Sequence, residues 1–230
     1  MEPSLHALLT HPFASHTIRV LLLVLSGQGT NETASTNLIQ SRSKENKLET
    51  DKLAEERKVP DSFKEATSRI LKTISEKIGV LELRILATHP VGSPTLQFLL
   101  RLELSSADST RKKGRKQQND TLSQGTLLSK LLGGEGAEDT NSSAFLQSLF
   151  YDTVGSHVLE TVIQFSNQTT FKGLYDEYFK DRLPSMSRNE TASFVAVKAV
   201  DRLDEKQLEA LIDGLVPLVP NLLGTWANPE

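Results

Sequence analysis

Four segments of the chain repeat one short pattern, and this internal repeat limits the possible folds more than any other feature does. The segments cover residues 11–22, 89–100, 152–163 and 189–200, and they align without gaps. Each has a glycine or alanine followed by serine, with apolar residues four, seven and eight positions after the small residue. That spacing is typical of an amphipathic helix packed on its neighbours. Its repetition predicts a helical solenoid, in which each unit packs against the next.

Each copy has four informative positions. The small position holds Ala14, Gly92, Gly155 and Ala192; the serine position holds Ser15, Ser93, Ser156 and Ser193; the ring position holds His16, Pro94, His157 and Phe194; the edge position holds Arg19, Gln97, Glu160 and Val197. A small residue permits close approach of two helices. The serine, ring and edge positions lie beside one another on a helix surface separate from the apolar stripe. This second surface varies between copies.

Further helical stretches precede each later copy, so each unit is predicted to have about three helices. Residues 63–77 and 80–88 precede the second copy, residues 126–132 and 144–151 the third, and residues 171–183, with a turn at 184–188, the fourth. Residues 205–212 and 215–223 are predicted helices of a further unit. No preceding helix is predicted for the first copy. The chain is therefore expected to start inside a repeat, and to be either a piece of a longer protein or a truncated gene product.

Polar stretches interrupt these units. Residues 27–61 and 105–125, and the glycine-rich residues 133–143, have little apolar periodicity, which predicts loops or disorder. The predicted organisation is a truncated repeat at 1–26, a polar insertion at 27–61, a repeat at 62–104, a basic polar insertion at 105–125, a repeat with a glycine-rich insertion at 126–166, a repeat at 167–204 and a partial repeat at 205–230.

Composition excludes several classes of function. The chain has no cysteine, which removes disulfides, zinc-thiolate sites and thiol nucleophiles and agrees with a reducing compartment. The longest apolar run, residues 20–25, is too short to span a bilayer, so no membrane association is expected. The formal net charge of −3 lacks the basic excess of non-specific nucleic-acid binders. The basic cluster at residues 111–116 is either a nuclear targeting signal, a phosphate-binding patch or a solvated loop.

No catalytic motif is present. The sequence lacks a Gly-x-Ser-x-Gly elbow, a phosphate-binding loop and a His-Glu-x-x-His helix, and its five histidines are widely spread. We therefore predict no enzymatic activity, no metal, no cofactor and no small-molecule substrate. His11 and His89 each precede a proline at a corner between helices and are expected to be structural.

The repeat resembles a known family. Its middle helix reads aromatic or aliphatic, Gly or Ala, Ser, ring residue, any residue, aliphatic, polar, which is similar to the Pumilio (PUF) repeat. Residues 10–16, Thr-His-Pro-Phe-Ala-Ser-His, and 154–160, Val-Gly-Ser-His-Val-Leu-Glu, most resemble fungal members of the nucleolar protein 9 family. The resemblance implies an all-α fold, a right-handed α-helical solenoid of three-helix repeats with disordered insertions. It also implies binding of single-stranded RNA at one base per repeat.

The same resemblance implies a role for each position. Serine and edge side chains would face a base edge, so that Glu160 implies guanine, Gln97 adenine and Arg19 cytosine, and ring side chains would stack between bases. Pro94 supplies no ring, and Val197 cannot form a hydrogen bond, so the fourth copy implies no particular base. The candidate RNA contacts are Ser15, His16, Arg19, Ser93, Gln97, Ser156, His157, Glu160, Ser193 and Phe194. Alternatively, the serines only cap unpaired N–H groups at the helix starts.

The family further implies a location in the nucleus and nucleolus, binding of precursor rRNA during small-subunit (18S) rRNA processing, and contact with pre-ribosomal proteins. The alternative from the residues alone is a protein-binding scaffold of the HEAT or armadillo kind. Such a scaffold also stacks helices around a concave face, but it does not require a serine, a ring and a polar residue on each middle helix.

Overall fold

The computed structural model describes residues 4–28, 58–111, 125–133 and 140–216, and every regular element within them is a helix. In chain order these are α1 Leu5–Thr10, α2 Pro12–Ser26, α3 Asp61–Lys77, α4 Val80–Thr88, α5 Ser93–Arg111, α6 Leu127–Leu132, α7 Thr140–Tyr151, α8 Gly155–Phe165, α9 Gln168–Leu174 with a π-helical continuation Tyr175–Phe179, α10 Leu183–Met186, α11 Ala192–Val200 and α12 Glu205–Leu215. Among these helices, none is long and apolar enough to cross a membrane.

The helices group in threes around the repeated segments. Each copy of the repeat contains the middle helix of a unit, namely α2, α5, α8 or α11. Another helix precedes each of them (α1, α4, α7, α10), and a third helix follows (α3, α6, α9 with its π-helical turn, α12). The prediction of about three helices per unit is confirmed for the described part of the chain.

Several predicted boundaries were wrong. A helix does precede the first copy, since α1 begins after its N-cap Ser4 and buries Leu9 completely. Residues 105–111 continue α5, and residues 140–143 begin α7, although both were predicted to be irregular. The predicted turn at 184–188 contains most of α10, and the predicted helix at 171–183 is divided into a short α-helix and a π-helical turn. Residues 29–57, 112–124, 134–139 and 217–230, which hold most of the three polar stretches, nearly all of the basic cluster and most of the last predicted helix, lie outside the described residues.

The middle helices form the centre of the core. Helix α5 packs on α2, α8 packs on α5, and α11 packs on α8, so the four helices lie side by side in chain order. Their apolar stripes are buried as predicted in the second and third copies, for example at Leu99, Leu100 and Val162, whereas Val200 in the fourth is half-buried. The first copy differs, because Leu21 of its stripe is half exposed.

The glycine or alanine at the small position lies where each middle helix begins, close to the helix that precedes it. A β-carbon built on Gly92 would lie 2.3 Å from Cδ1 of Leu86, and one built on Gly155 would lie 2.5 Å from Cδ2 of Leu149. Leu86 and Leu149 belong to α4 and α7 and are fully buried. The prediction that the small residue permits close helix approach is therefore confirmed in these two copies.

The first residue of every copy caps its middle helix, and we call it the cap position. The backbone N–H of the small position donates to His11 Nδ1 at 3.3 Å, His89 Nδ1 at 3.1 Å, Asp152 Oδ1 at 2.6 Å and Asn189 Oδ1 at 3.0 Å. Asp and Asn are common caps because a side-chain oxygen satisfies an otherwise unpaired N–H of the first turn. A histidine does the same when its Nδ1 carries no proton. The predicted structural role of His11 and His89 is confirmed.

Long polar side chains join separate helices at their ends, both within a unit and between units. Glu103 of α5 accepts hydrogen bonds from the N–H groups of Leu127 and Leu128, at 2.9 and 3.0 Å, and so caps the N-terminus of α6. Lys130 of α6 donates from its Nζ to the carbonyls of Ser75 and Ile78 at the C-terminus of α3, at 2.5 and 3.0 Å. A negative group at a helix N-terminus and a positive group at a C-terminus both complement the helix dipole.

Arg202, just after α11, makes a comparable link to the third unit. Its guanidinium donates to the carbonyl of Ile163 and to the hydroxyl of Ser166, and it lies 4.7 Å from the ring centre of Phe171. These contacts give a hydrogen-bond donor to a carbonyl at the C-terminal end of α8 and hold α11 against that helix.

Candidate nucleic-acid interface

The ring and edge positions of the four middle helices follow one another across the array, because the helices lie side by side and the copies align without gaps. His16, His157 and Phe194 of the ring position are exposed, whereas Pro94 is half-buried. The edge residues are half-buried in the first three copies and exposed in the fourth. We call this set the reading row.

The serine position lies beneath this row. Ser15, Ser93 and Ser156 have relative exposures of 0%, 0% and 2%, and Ser193 is half-buried. The Ser15 hydroxyl donates to the carbonyl of Pro12 at 3.4 Å. These serines therefore lie within the packing at the start of each middle helix, and their contact with a base edge stays a prediction.

The third copy brings its ring and edge residues together. His157 Nδ1 lies 3.0 Å from Oε1 of Glu160, with side-chain exposures of 58% and 20%. The hydrogen bond to Glu160 raises the pKa of the His157 ring above its ordinary value, although partial burial acts in the opposite direction. The pair presents an exposed ring for stacking beside a carboxylate that can accept two N–H donors.

The second and first copies offer weaker versions of this arrangement. In the second copy, Nε2 of Gln97 donates to the Ser93 hydroxyl at 3.2 Å, which leaves the amide oxygen and one N–H for a ligand. In the first copy, burial lowers the pKa of the Arg19 guanidinium, and its Nε is buried without a hydrogen-bond partner among the described residues. Arg19 would therefore act through its terminal nitrogens, beside the exposed His16 ring.

The fourth copy is apolar on the same surface. Phe194 and Val197 are both more than half exposed, and Ser193 donates its hydroxyl to the carbonyl of Glu190 at 2.9 Å. This copy can stack a base on Phe194 but presents no donor or acceptor at the edge position.

Sequence reasoning missed one exposed ring. Phe13, which directly precedes the small position, is 80% exposed, and its ring centre lies 5.9 Å from that of His11. The signal was present, because Phe13 is the aromatic member of a position that holds valine or threonine in the other copies. Within the described ranges, no group of three or more His, Asp or Glu residues could hold a metal ion.

Comparison with known proteins places this geometry in context. A family model described as the NOP9-like PUF repeat domain matches residues 1–226. The chain is 41% identical over 230 residues to Nucleolar protein 9 of Leptosphaeria maculans, covering 97% of this chain and 31% of that protein. It is 38% identical over 220 residues to Nucleolar protein 9 of Coccidioides posadasii, covering 94% and 29%. The chain thus spans about a third of the length of these curated relatives.

Solved structures show the same architecture. The structure of APUM23 with its insert region deleted, with GGAAUUGACGG, superposes with a TM-score of 0.66 at 18% identity, covering 95% of this chain and 34% of that one. The structure of APUM23 with GGAUUUGACGG gives a TM-score of 0.64, also at 18% identity, covering 94% and 36%. Identity at this level shows the fold, and the predicted all-helical repeat fold is confirmed.

Proposed function

Because this chain belongs to the NOP9-like PUF repeat domain family, we propose that it binds single-stranded RNA along the reading row. The observation that carries this proposal is the array itself, in which three of the four copies have an exposed ring and three have a half-buried polar edge residue at the same repeat position. Two comparisons support the same conclusion. The relatives are named Nucleolar protein 9, and the matching APUM23 structures are with sequences that contain uracil, such as GGAAUUGACGG. A one-base-per-repeat reader needs this spacing of stacking and edge groups.

The proposed contacts differ between the copies. In the third, His157 stacks on a base and Glu160 accepts from the paired N–H donors of guanine. In the second, Gln97 pairs with adenine, and in the first, His16 stacks while Arg19 donates to cytosine. In the fourth, Phe194 stacks on a base of any identity. We place the buried Ser15, Ser93 and Ser156 at the bottom of the first three sites, and the half-buried Ser193 at the rim of the fourth.

The energetics favour stacking over charge. Each base stacked on an aromatic ring contributes about 1–3 kcal/mol, and the reading row offers the rings of His16, His157 and Phe194. The net charge of −3 gives no general attraction for phosphates. Binding is therefore expected to fall only gently as the salt concentration rises, unlike that of a basic non-specific binder.

In the cell, we propose that the protein is located in the nucleus and nucleolus and takes part in ribosome biogenesis. Its RNA would be precursor rRNA in small-subunit (18S) processing, and pre-ribosomal proteins would be its neighbours there. The nucleolar name of the relatives supports this assignment, which extends from about a third of their length. No catalytic activity is proposed.

The test is a binding titration of labelled single-stranded RNA of mixed sequence, followed by fluorescence anisotropy, with a duplex of the same length as a control. The variant His157→Ala/Glu160→Ala removes one complete reading site. The matched control is Lys72→Ala/Glu76→Ala, an exposed ion pair on α3 with a 3.9 Å separation.

We expect the wild type to prefer single strands at low and high salt. The His157→Ala/Glu160→Ala variant should bind about 5- to 150-fold more weakly, equivalent to the 1–3 kcal/mol of one stacked base. Equal affinity of the two double variants would show that RNA does not follow the reading row. Lack of preference for single strands, or binding that disappears with salt, would favour the protein-scaffold alternative.

A further inference from the structure

A hydrogen bond joins the ring and edge positions of the third copy. Nδ1 of His157 lies 3.0 Å from Oε1 of Glu160, three residues further along α8. The second and fourth copies cannot form this bond, because Pro94 has no side-chain donor and Val197 has neither a donor nor an acceptor. The link is therefore a property of residues 157 and 160 and not of the repeat fold in general.

The direction of this hydrogen bond follows from the chemistry of its two groups. An ionised carboxylate only accepts, so Nδ1 of His157 carries the hydrogen and donates it to Glu160. Both the neutral ring with its hydrogen on Nδ1 and the doubly protonated ring can do this. The bond also raises the pKa of His157, against the opposing effect of partial burial. The ring thus holds the carboxylate in either protonation state.

The carboxylate of Glu160 keeps enough acceptor capacity to pair with guanine. A carboxylate offers about four acceptor sites on its two oxygens, and the bond from His157 occupies one site on Oε1. Guanine presents two adjacent N–H donors on its Watson–Crick edge, the edge that is read in single-stranded RNA. Each oxygen of Glu160 can accept one of these donors while the ring still holds Oε1.

The second copy holds its edge residue in a different way. Nε2 of Gln97 donates to the hydroxyl of the fully buried Ser93 at 3.2 Å, so the amide is fixed by the serine position. Ser156 is the aligned serine and is also buried, but within the described residues its hydroxyl makes no hydrogen bond to Glu160. His157 holds Glu160 instead. The edge groups of these two copies are therefore fixed by different neighbours.

Fixing the carboxylate in advance affects one base more than the others. A free glutamate side chain has many rotamers, and ordering such a side chain during binding weakens affinity by about 2- to 12-fold. Because His157 orders Glu160 before RNA arrives, this loss does not fall on the base that pairs with the carboxylate. A base that does not pair with Glu160 gains nothing from the ordering. The hydrogen bond should therefore increase discrimination in favour of guanine.

We propose that His157 is a positioning residue that sets the guanine preference of the third copy, in addition to stacking on a base. Its Nδ1–H holds the Glu160 carboxylate in the orientation that pairs with guanine. This inference rests on the proposed RNA binding and goes beyond it, because stacking alone requires only a ring at residue 157. The imidazole has two separable parts, the ring face and the Nδ1–H donor.

Two substitutions at residue 157 separate these parts. His157→Phe keeps a ring and removes the donor. His157→Asn removes the ring and keeps a donor, because the amide nitrogen of asparagine can take the place of the histidine Nδ1. The side chain is 58% exposed, so the fold should persist in both, and circular dichroism checks this. Each variant and the wild type select RNA from a random-sequence single-stranded pool, and the bound RNA is sequenced.

We expect the wild type to enrich guanine at one position, beside the position of adenine that Gln97 reads and that serves as an internal reference. Relative to this reference, His157→Phe should lower guanine enrichment by about 2- to 12-fold. His157→Asn should keep the guanine enrichment although its overall affinity falls. Guanine enrichment by His157→Phe equal to that of the wild type, or an equal loss in both variants, would overturn the positioning role.

The variant Glu160→Gln distinguishes failure of this inference from failure of the proposed function. If the wild type enriches guanine at no position, or if Glu160→Gln leaves the enrichment intact, then Glu160 does not read guanine and both proposals for the third copy are wrong. If Glu160→Gln abolishes the enrichment and His157→Phe does not reduce it, then the reading site stands and only the positioning role of His157 is overturned.

Discussion

Replacing His89 at the cap position should weaken α5, the helix through which the first two units are joined. His89 Nδ1 accepts from the N–H groups of Val91 and Gly92, at 3.2 and 3.1 Å. His89→Ala leaves both without an acceptor at the start of a helix whose Leu96 is fully buried. Loss of a side-chain cap costs about 0.5–2 kcal/mol of stability, typically near 1. For a chain of this size, that lowers the melting temperature by about 2–4 °C.

The decisive comparison is His89→Asp, which should recover most of the loss. Asp152 occupies the same position in the third copy and accepts from the N–H of Gly155 at 2.6 Å, and a carboxylate also complements the positive end of the helix dipole. His16→Ala removes an exposed imidazole that caps nothing and serves as the control. Urea denaturation followed by circular dichroism gives the free energy of unfolding of each variant. If His89→Ala matches the wild type, or His89→Asp is as unstable as His89→Ala, then the cap position does not stabilise the repeat.

Three further outcomes are expected from single substitutions. Gly155→Ala should destabilise the protein, because overpacking costs about 1–3 kcal/mol. Gly173→Ala, where a new β-carbon meets no atom within 4 Å, should instead stabilise it by about 0.5–1 kcal/mol. Thermal unfolding would contradict this if both substitutions shifted the melting temperature in the same direction. Glu103→Ala should expose the first two amides of α6 and speed their hydrogen exchange, and unchanged protection would show that the carboxylate is not their cap. Glu160→Gln should lower the pKa of His157 in an NMR titration, since the carboxylate is what raises it. Because a raised pKa favours the folded state below the ordinary histidine pKa, the stabilising effect of the pair should disappear as the pH rises through the folded pKa. A His157 titration that is the same in the variant and the wild type would contradict this.

Periodicity predicted the middle helices well because their apolar residues recur over several turns and pack against neighbours on both sides. It failed at α1, which is too short for a period to be visible and which buries Leu9 by packing on α2 and α4. It also ended α5 too early. Residues 105–111 are polar, but they contain no glycine or proline, and the helix continues through them.

The candidate site was predictable to a similar degree. The alignment of copies correctly placed the ring residues His16, His157 and Phe194 on an exposed surface. It could not show that the serine beside each ring lies in a helix contact, because serine is compatible with both environments and burial depends on the next unit. The cap position was equally hidden, since aspartate and asparagine are common helix caps but the histidines of the first two copies are not, and only the structure shows that all four accept the same N–H.

The way α6 is held has a consequence for how this protein can be altered. Glu103 and Lys130 fix the short helix to α5 and α3 at its two ends, so its position does not depend on the length of chain that joins it to α5. Closing a longer loop is inexpensive, at about 0.6 kcal/mol for each doubling of its length. The connection between α5 and α6 is therefore a place where evolution can lengthen the chain, and where a label, an additional domain or new termini can be introduced, while the repeats on either side keep their register.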